Sequence, residues 1–304
     1  MNKNTLLKGI FFAFVTSVIS GVAIFYSKIS LIKIDPLVLA TARNTYVAIF
    51  FLLGFLLFNK FKELKKIKRS QLMPLMLIGI IGGGIPFFLF FTGLSMIGAQ
   101  AGNIIHKSLF IWVAILSVII LKEKFNWIYL AGFLLIFLGN FLFAKAGLHF
   151  GLGEGLVLTA TLLWSLENII AKKILRNISS EVVGLFRMGI GALMLISLSA
   201  LTGKSSLILK LNANQLTYIV IGGTILSFYV YFWYKSLKSA PASLVTMILT
   251  FSVVVGNILN GAFAGIKIAE KDVLSSILIT TGLMFVYLKI FAPFAHQFFK
   301  KDDN

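Results

Sequence analysis

The sequence predicts an all-α membrane protein of ten transmembrane helices in two inverted five-helix repeats. Three observations predict it. Of the 304 residues, 59% are apolar and 12% charged, against about 45–50% and about 25% in an ordinary soluble domain. Ten apolar stretches recur along the chain, each near the roughly 20 residues that span a bilayer as helix. The chain also matches itself at an offset of 144 and then 143 residues. Too few charges remain to cover a soluble globule, which excludes a soluble enzyme, and the apolar content excludes disorder.

The expected spans are 5–27, 36–58, 72–96, 99–121, 126–145, 152–174, 180–201, 215–237, 241–264 and 273–292. The first is too long for a signal-peptide core, lacks a small-residue cleavage site and is followed by more spans, so it reads as a membrane helix. The second follows Asp35-Pro36. The third contains GIIGGGIPFF (79–88). The sixth carries Glu167, the seventh Arg187, and the eighth FYVYFWYKS (228–236). The connections are short and carry Lys, Asn, Gly and Pro, and 293–304 is left as a tail. In lipid every backbone group needs an internal partner, so helices are expected. No alternating pattern supports an outer-membrane barrel.

The 28 Lys and Arg against 10 Asp and Glu give a net charge of +18. With the N-terminus inside, 17 of the 28 fall in cytoplasmic segments and seven in external ones, leaving Arg43, Lys107, Arg187 and Lys289 within spans. That asymmetry puts both termini in the cytoplasm and implies a plasma (inner) membrane location. The run FNKFKELKKIKRSQ (58–71) fits a lipid-headgroup or nucleic-acid patch, but a topology determinant is the better reading, and no nucleic-acid partner is expected. Cysteine is absent, and His106, His149 and His296 match no ligand spacing, so neither metal nor cofactor is expected. There is no Walker loop, no Ser-His-Asp set and no pair of intramembrane carboxylates. ATP-driven transport and membrane proteolysis are therefore not supported, and an enzyme is not expected.

The self-match pairs Gly9 with Gly153, Lys28 with Lys172, Arg43 with Arg187, Gly79 with Gly222, Leu94 with Leu237, Ala99 with Ala242 and Gly139 with Gly282. Each copy, 5–146 and 150–292, holds five spans. Five is odd, so the second copy enters the membrane in the opposite sense. Such inverted repeats commonly place a site near the midplane between the copies.

Several segments carry a resemblance. The first copy shows DPLVLATARN (35–44), TGLSMIGAQAGNI (92–104) and LKEKFNWIYLAGFLLIFLG (121–139). The second shows LLWSLENIIAKKI (162–174), SSEVVGLFRMGIGA (179–192) and FWYKSLKSAPASLVTMILTF (232–251). Over about 5–292 they resemble the drug/metabolite transporter superfamily, in its ten-helix form of two EamA domains. The fourth helix departs from that pattern by lacking a proline in HKSLFIW (106–112). Ile266 stands where the first copy has Glu123, and Ser20 stands where an aromatic is usual. The resemblance implies that spans 1–4 and 6–9 line a central cavity, with 5 and 10 peripheral. It also implies alternating-access transport of a small organic metabolite: an amino acid, an amine or a related compound. An uncoupled facilitator or channel and a non-transporting scaffold are the rivals. The chain is expected as a monomer, or as a homodimer through its peripheral helices.

A charge at bilayer depth costs roughly 2.5–3.5 kcal/mol on insertion scales, so those retained are functional candidates. Glu167 is the one carboxylate well inside a span. It suits proton coupling or capture of a cationic amine, and a structural ion pair with Arg187 is the alternative. Trp164 and Asn168 share its helix face, and Trp164 offers a cation–π surface. Arg43, with its neighbour Asn44, and Arg187 are inverted counterparts. They either gate or hold a substrate carboxylate, or they cap carbonyls or snorkel to headgroups. Asn103, His106 and Lys107 lie on one side of span four. Lys107 near Arg43 would call for an anion between them; otherwise Lys107 snorkels and His106 bonds a carbonyl. Gly82, Gly83 and Gly84 before Pro86 read as a hinge, or as close packing through Gly79 and Gly83. Tyr231, Trp233 and Tyr234 line an aromatic cavity on one side and form an interface belt on the other.

Overall fold

The structure is a computed structural model that describes residues 2–123, 130–141, 151–263 and 267–299, with side chains to Leu288. Ten helices carry the fold: α1 (Lys3–Leu31), α2 (Pro36–Leu57), α3 (Arg69–Met96), α4 (Ala99–Ile120), α5 (Leu130–Phe141), α6 (Leu152–Ile174), α7 (Ser180–Leu201), α8 (Ala213–Ser239), α9 (Ala242–Phe263) and α10 (Glu270–Phe299). Among the described residues no strand occurs, and nine helices are long and apolar enough to cross a membrane. The tenth, α5, is the described middle of the expected span 126–145. Lys124, Lys145, His149, Ile266 and residues 300–304, all used in reading the sequence, lie outside the described residues, as do the side chains of Lys289 and His296.

Local chemistry sets the ends of the helices. Asp35 caps α2, accepting from the backbone N–H of Leu37 at 2.9 Å and Val38 at 3.3 Å, with Pro36 at the first helical position. Ser179 caps α7, and Asn212 and Gln215 form a reciprocal box at the start of α8. These side chains satisfy N–H groups that a helix start leaves free. The short helix Phe61–Leu64 in the basic run ties back to α7: Lys60 donates to Glu181 at 3.1 Å. Burial works against the charge on Lys60, but its hydrogen bond and attraction to Glu181 outweigh that and raise its pKa.

α1 continues four residues past its expected end because its last turn is anchored. Lys28 donates to the carbonyls of Leu94 (2.9 Å), Ser95 (3.3 Å) and Ile97 (2.7 Å), where α3 ends. Its counterpart Lys172, in α6, donates to Leu237 and Ala240, both at 2.6 Å, where α8 ends. In the sequence alone the two lysines read as topology charges. In the fold they sit at the negative ends of helices, where a cation is favoured. Glu123 completes the second clamp by accepting from the N–H groups of Ala242 and Ser243 and the Ser243 hydroxyl at the start of α9. α10 runs through residues 293–299, so the helix extends into the stretch expected as tail.

Packing follows the internal symmetry. α1 lies along α8 and against α9, and α6 lies along α3 and against α4. α2 pairs with α7, and α5 with α10. Exchanging the two copies exchanges these pairs, as two inverted five-helix repeats require. At the α5–α10 pair, a Cβ on Gly132 would stand 2.8 Å from the Gly282 carbonyl oxygen, and the reverse holds at the same distance.

In α3, Gly79–Gly84 winds as a π-helix against α7. A Cβ on Gly79 would lie 2.3 Å from Ile190 Cβ, and one on Gly83 1.8 Å from the Arg187 carbonyl oxygen. The Gly79/Gly83 spacing therefore brings two backbones into contact. The π-helix also frees carbonyls: Gly82 accepts from Trp164 and Arg187, and Gly83 from Asn44.

Candidate functional site

Near the middle of the bundle, Glu167 of α6 is fully buried. Tyr234 of α8 donates to its Oε1 at 2.5 Å, and Arg187 Nη1 of α7 lies 4.0 Å from its Oε2. Arg187 also donates to the Gly82 carbonyl at 3.1 Å and to Tyr234 at 3.5 Å. Glu167 Oε2 has no hydrogen-bond partner among the described residues. Three helices, two from the second repeat's start and one from its middle, thus meet α3 around one carboxylate. The charge pair and the tyrosine offset much of the desolvation cost of burying it.

In front of this cluster is a narrow cavity of about 50 Å³, room for a few waters. Phe87, Phe90 and Phe91 of α3, Trp164 of α6, and Tyr229 and Trp233 of α8 build its aromatic walls. Arg43, Arg187, His106, Asn168, Ser20 and Ser27 supply its polar groups. Trp233 stacks on Tyr229 with centroids 6.0 Å apart, and its indole N–H donates to Asn168 at 2.8 Å. His106 packs edge-on to Trp164 at 5.0 Å and beside Phe90 at 5.4 Å. The guanidinium of Arg43 lies over Phe91, and that of Arg187 over Phe87.

The cavity's charges are not balanced. Arg43 is 1% exposed and donates to the Ser27 hydroxyl at 2.7 Å and the Gly222 carbonyl at 2.9 Å, while its Nε has no partner. Lys107, equally buried, donates to the Ser20 hydroxyl at 2.8 Å and to His106 Nδ1 at 3.2 Å. Neither has a carboxylate within 4.0 Å among the described residues. The carboxylate Glu167 stands one layer behind the wall, paired with Arg187.

The structure brings Trp164, Asn168, Arg43, His106, Arg187 and Trp233 to the cavity, with Glu167 and Tyr234 behind it. Other expectations change. Arg43, Arg187 and Lys107 do not snorkel, because each finds carbonyl, hydroxyl or imidazole partners inside the bundle. Lys107 and Arg43 do not converge on one anion. They take serines seven residues apart on α1, about 10 Å at helical rise. His106 accepts from Lys107 rather than bonding a carbonyl. Asn103 faces away, donating to the Ser252 carbonyl of α9, and Asn44 holds the Gly83 carbonyl. Tyr231 accepts from Lys235 at 2.5 Å on the α8 flank, so only part of the aromatic run faces the cavity. α9 contributes nothing to the wall, since it packs behind α1, with Val255 against Gly21. Tyr229 and the three phenylalanines cannot be singled out in the sequence, where apolar aromatics in a membrane helix carry no signal of their own. Among the described residues no group of His, Cys, Asp and Glu could hold a metal.

Comparison with known proteins adds three findings. The model of the EamA-like transporter family matches residues 7–144 and again 151–288. A protein of Archaeoglobus fulgidus described as an uncharacterized transporter is 24% identical over 279 residues, covering 88% of this chain and 95% of that one. A solved structure titled "Crystal structure of protein" superposes with a TM-score of 0.72 at 17% identity, covering 95% of this chain and 98% of its own. That likeness is one of fold.

Proposed function

The chain belongs to the EamA-like transporter family, and from that premise we propose that it carries a small carboxylate-bearing organic solute by alternating access. It is an integral membrane transporter of the drug/metabolite kind. The observation that carries the substrate reading is Arg43, buried at the wall of an aromatic cavity with no carboxylate within 4.0 Å among the described residues, while Lys107 stands behind Ser20 and His106 of the same wall. A buried charge without a counter-charge costs several kcal/mol. A carboxylate entering beside Arg43 Nε would remove part of that cost, while the aromatic walls cover an apolar body. An amino acid fits this description. A purely cationic amine fits less well, because Glu167 is already engaged behind the wall.

The same geometry supports alternating access. The cavity lies between the repeats and holds only about 50 Å³, so a solute of amino-acid size fits only if the helices part. The π-helix at Gly79–Gly84 and Pro86 gives α3 a place to bend. Because the repeats are inverted, the Lys28 and Lys172 clamps fall at opposite faces, one in each repeat. A proton on Glu167 is the coupling we favour, supported by the unpartnered Oε2 beside Arg187. The charge asymmetry supports cytoplasmic termini and residence in the plasma (inner) membrane. The working unit is a monomer, or a homodimer through peripheral helices.

The test is a thermal-shift screen of small carboxylates, amines and neutral solutes on the purified protein, with flux assays of the hits in liposomes across a pH gradient. Stabilising hits are expected to carry a carboxylate, and Arg43→Gln is expected to weaken their binding about 30-fold or more. Hits without a carboxylate that ignore Arg43→Gln would refute the reading. Downhill flux that never concentrates the solute would favour a facilitator, and no hit of any class a scaffold.

A further inference from the structure

On the face bearing the basic run, a groove of about 1090 Å³ opens between α3 and α6, away from the central cavity. Its upper rim carries Lys66, Lys68 and Lys173, all exposed. None of the three has a carboxylate within 4.0 Å among the described residues. Glu63, also at the rim, is engaged by the Ser179 hydroxyl. Below the rim the lining turns apolar, with Leu77 of α3, Ile120 at the end of α4, and Leu166, Ile169 and Ile170 of α6. From Lys173 down to Leu166 is seven residues, about 10 Å along the helix. The groove is therefore cationic at one end and apolar at the other, and it lies in helices that cross the membrane.

We propose that this groove holds one anionic phospholipid. Its phosphate sits against Lys66, Lys68 and Lys173, and an acyl chain lies along Leu77, Leu166 and Ile170. Charge complementarity selects the headgroup, since a zwitterionic lipid brings a fourth cation to a rim that already has three. The depth of the apolar lining selects a lipid over a free phosphate, which would leave the lower groove unfilled. The lipid would wedge between α3 of one repeat and α6 of the other. These two helices carry Gly82 and Glu167, so its occupancy bears on how the repeats move.

The test titrates the full chain in neutral detergent with phosphatidylglycerol and with phosphatidylcholine, read by native mass spectrometry. One phosphatidylglycerol is expected to bind in preference to phosphatidylcholine. The triple variant Lys66→Gln, Lys68→Gln, Lys173→Gln is expected to weaken that binding about 100-fold, since each lysine near an anionic lipid contributes roughly a fivefold factor. Lys62→Gln, Lys65→Gln, Arg69→Gln removes equal charge from the same face outside the groove, and is expected to leave the bound lipid in place. Leu166→Trp keeps every lysine, fills the apolar end and is expected to displace the lipid. Equal loss in both triple variants would mean diffuse surface attraction and overturn the proposal. So would phosphatidylcholine binding as well as phosphatidylglycerol, or Leu166→Trp binding unchanged. Inorganic phosphate competing as well as the lipid would replace the phospholipid with a simple anion site.

Discussion

Gly83→Ala is expected to cost about 3 kcal/mol of stability, the upper part of the usual range for overpacking. The added methyl would stand 1.8 Å from the Arg187 carbonyl oxygen and 3.2 Å from Gly191 Cα. Both obstacles are backbone, so no rotamer change relieves the clash, and α3 must separate from α7. That separation also pulls Gly82 from Arg187 and Gly83 from Asn44, which loosens the wall of the cavity. Gly191→Ala meets the same contact from the other side, 2.2 Å from the Gly83 carbonyl carbon, and is expected to behave alike. A methyl on Gly189, in the same helix as Gly191, would meet nothing within 4 Å. Gly189→Ala is therefore the matched control and is expected to be neutral or slightly stabilising. Thermal melting of the three variants in detergent checks this. Equal melting temperatures for Gly83→Ala and Gly189→Ala would show that the helix contact is not tight.

The second large effect is at Glu167. Glu167→Ala is expected to cost roughly 3–5 kcal/mol, because it leaves Arg187 buried without its counter-charge and Tyr234 without its acceptor. Glu167→Gln preserves the volume and an acceptor for Tyr234, so it is expected to fold. What it loses is the ability to gain and release a proton. Uptake by Glu167→Gln in liposomes is therefore expected to lose its dependence on an imposed pH gradient while solute binding survives. If Glu167→Gln transports at an unchanged rate with unchanged pH dependence, the coupling role is wrong and the residue is a structural partner of Arg187. Melting of Glu167→Ala separates the two roles, since it reads the pair whether or not a proton moves.

Much of the fold was legible in the sequence, because bilayer thickness converts directly into span length and an odd-numbered repeat converts directly into inversion. The candidate residues were legible to the extent that charge inside lipid is rare. Arg43, Arg187, Glu167 and Lys107 stood out on that ground, and all four are buried in the bundle. Their partners were not legible. Depth and helix face follow from spacing, but which carbonyl or serine Lys107 meets depends on how α4 packs on α1. The same limit hid Lys28 and Lys172. As cations near span ends they looked like topology charges, and only the packing of α1 on α3 and α6 on α8 turns them into helix clamps. Tyr229 and Phe87, Phe90 and Phe91 were invisible for the opposite reason: an aromatic is ordinary in a membrane helix, and only the cavity distinguishes these from their neighbours.

The central claim is that the cavity between the repeats opens in turn to each side of the membrane. The absence of cysteine makes it directly testable. Ala23 lines the cavity on α1, and Ala23→Cys supplies a single small label site there. In sealed vesicles, a membrane-impermeant thiol reagent is expected to reach the introduced thiol when added from either side, and a stabilising solute is expected to slow both reactions. Labelling from one side only, whatever the solute, would contradict the account.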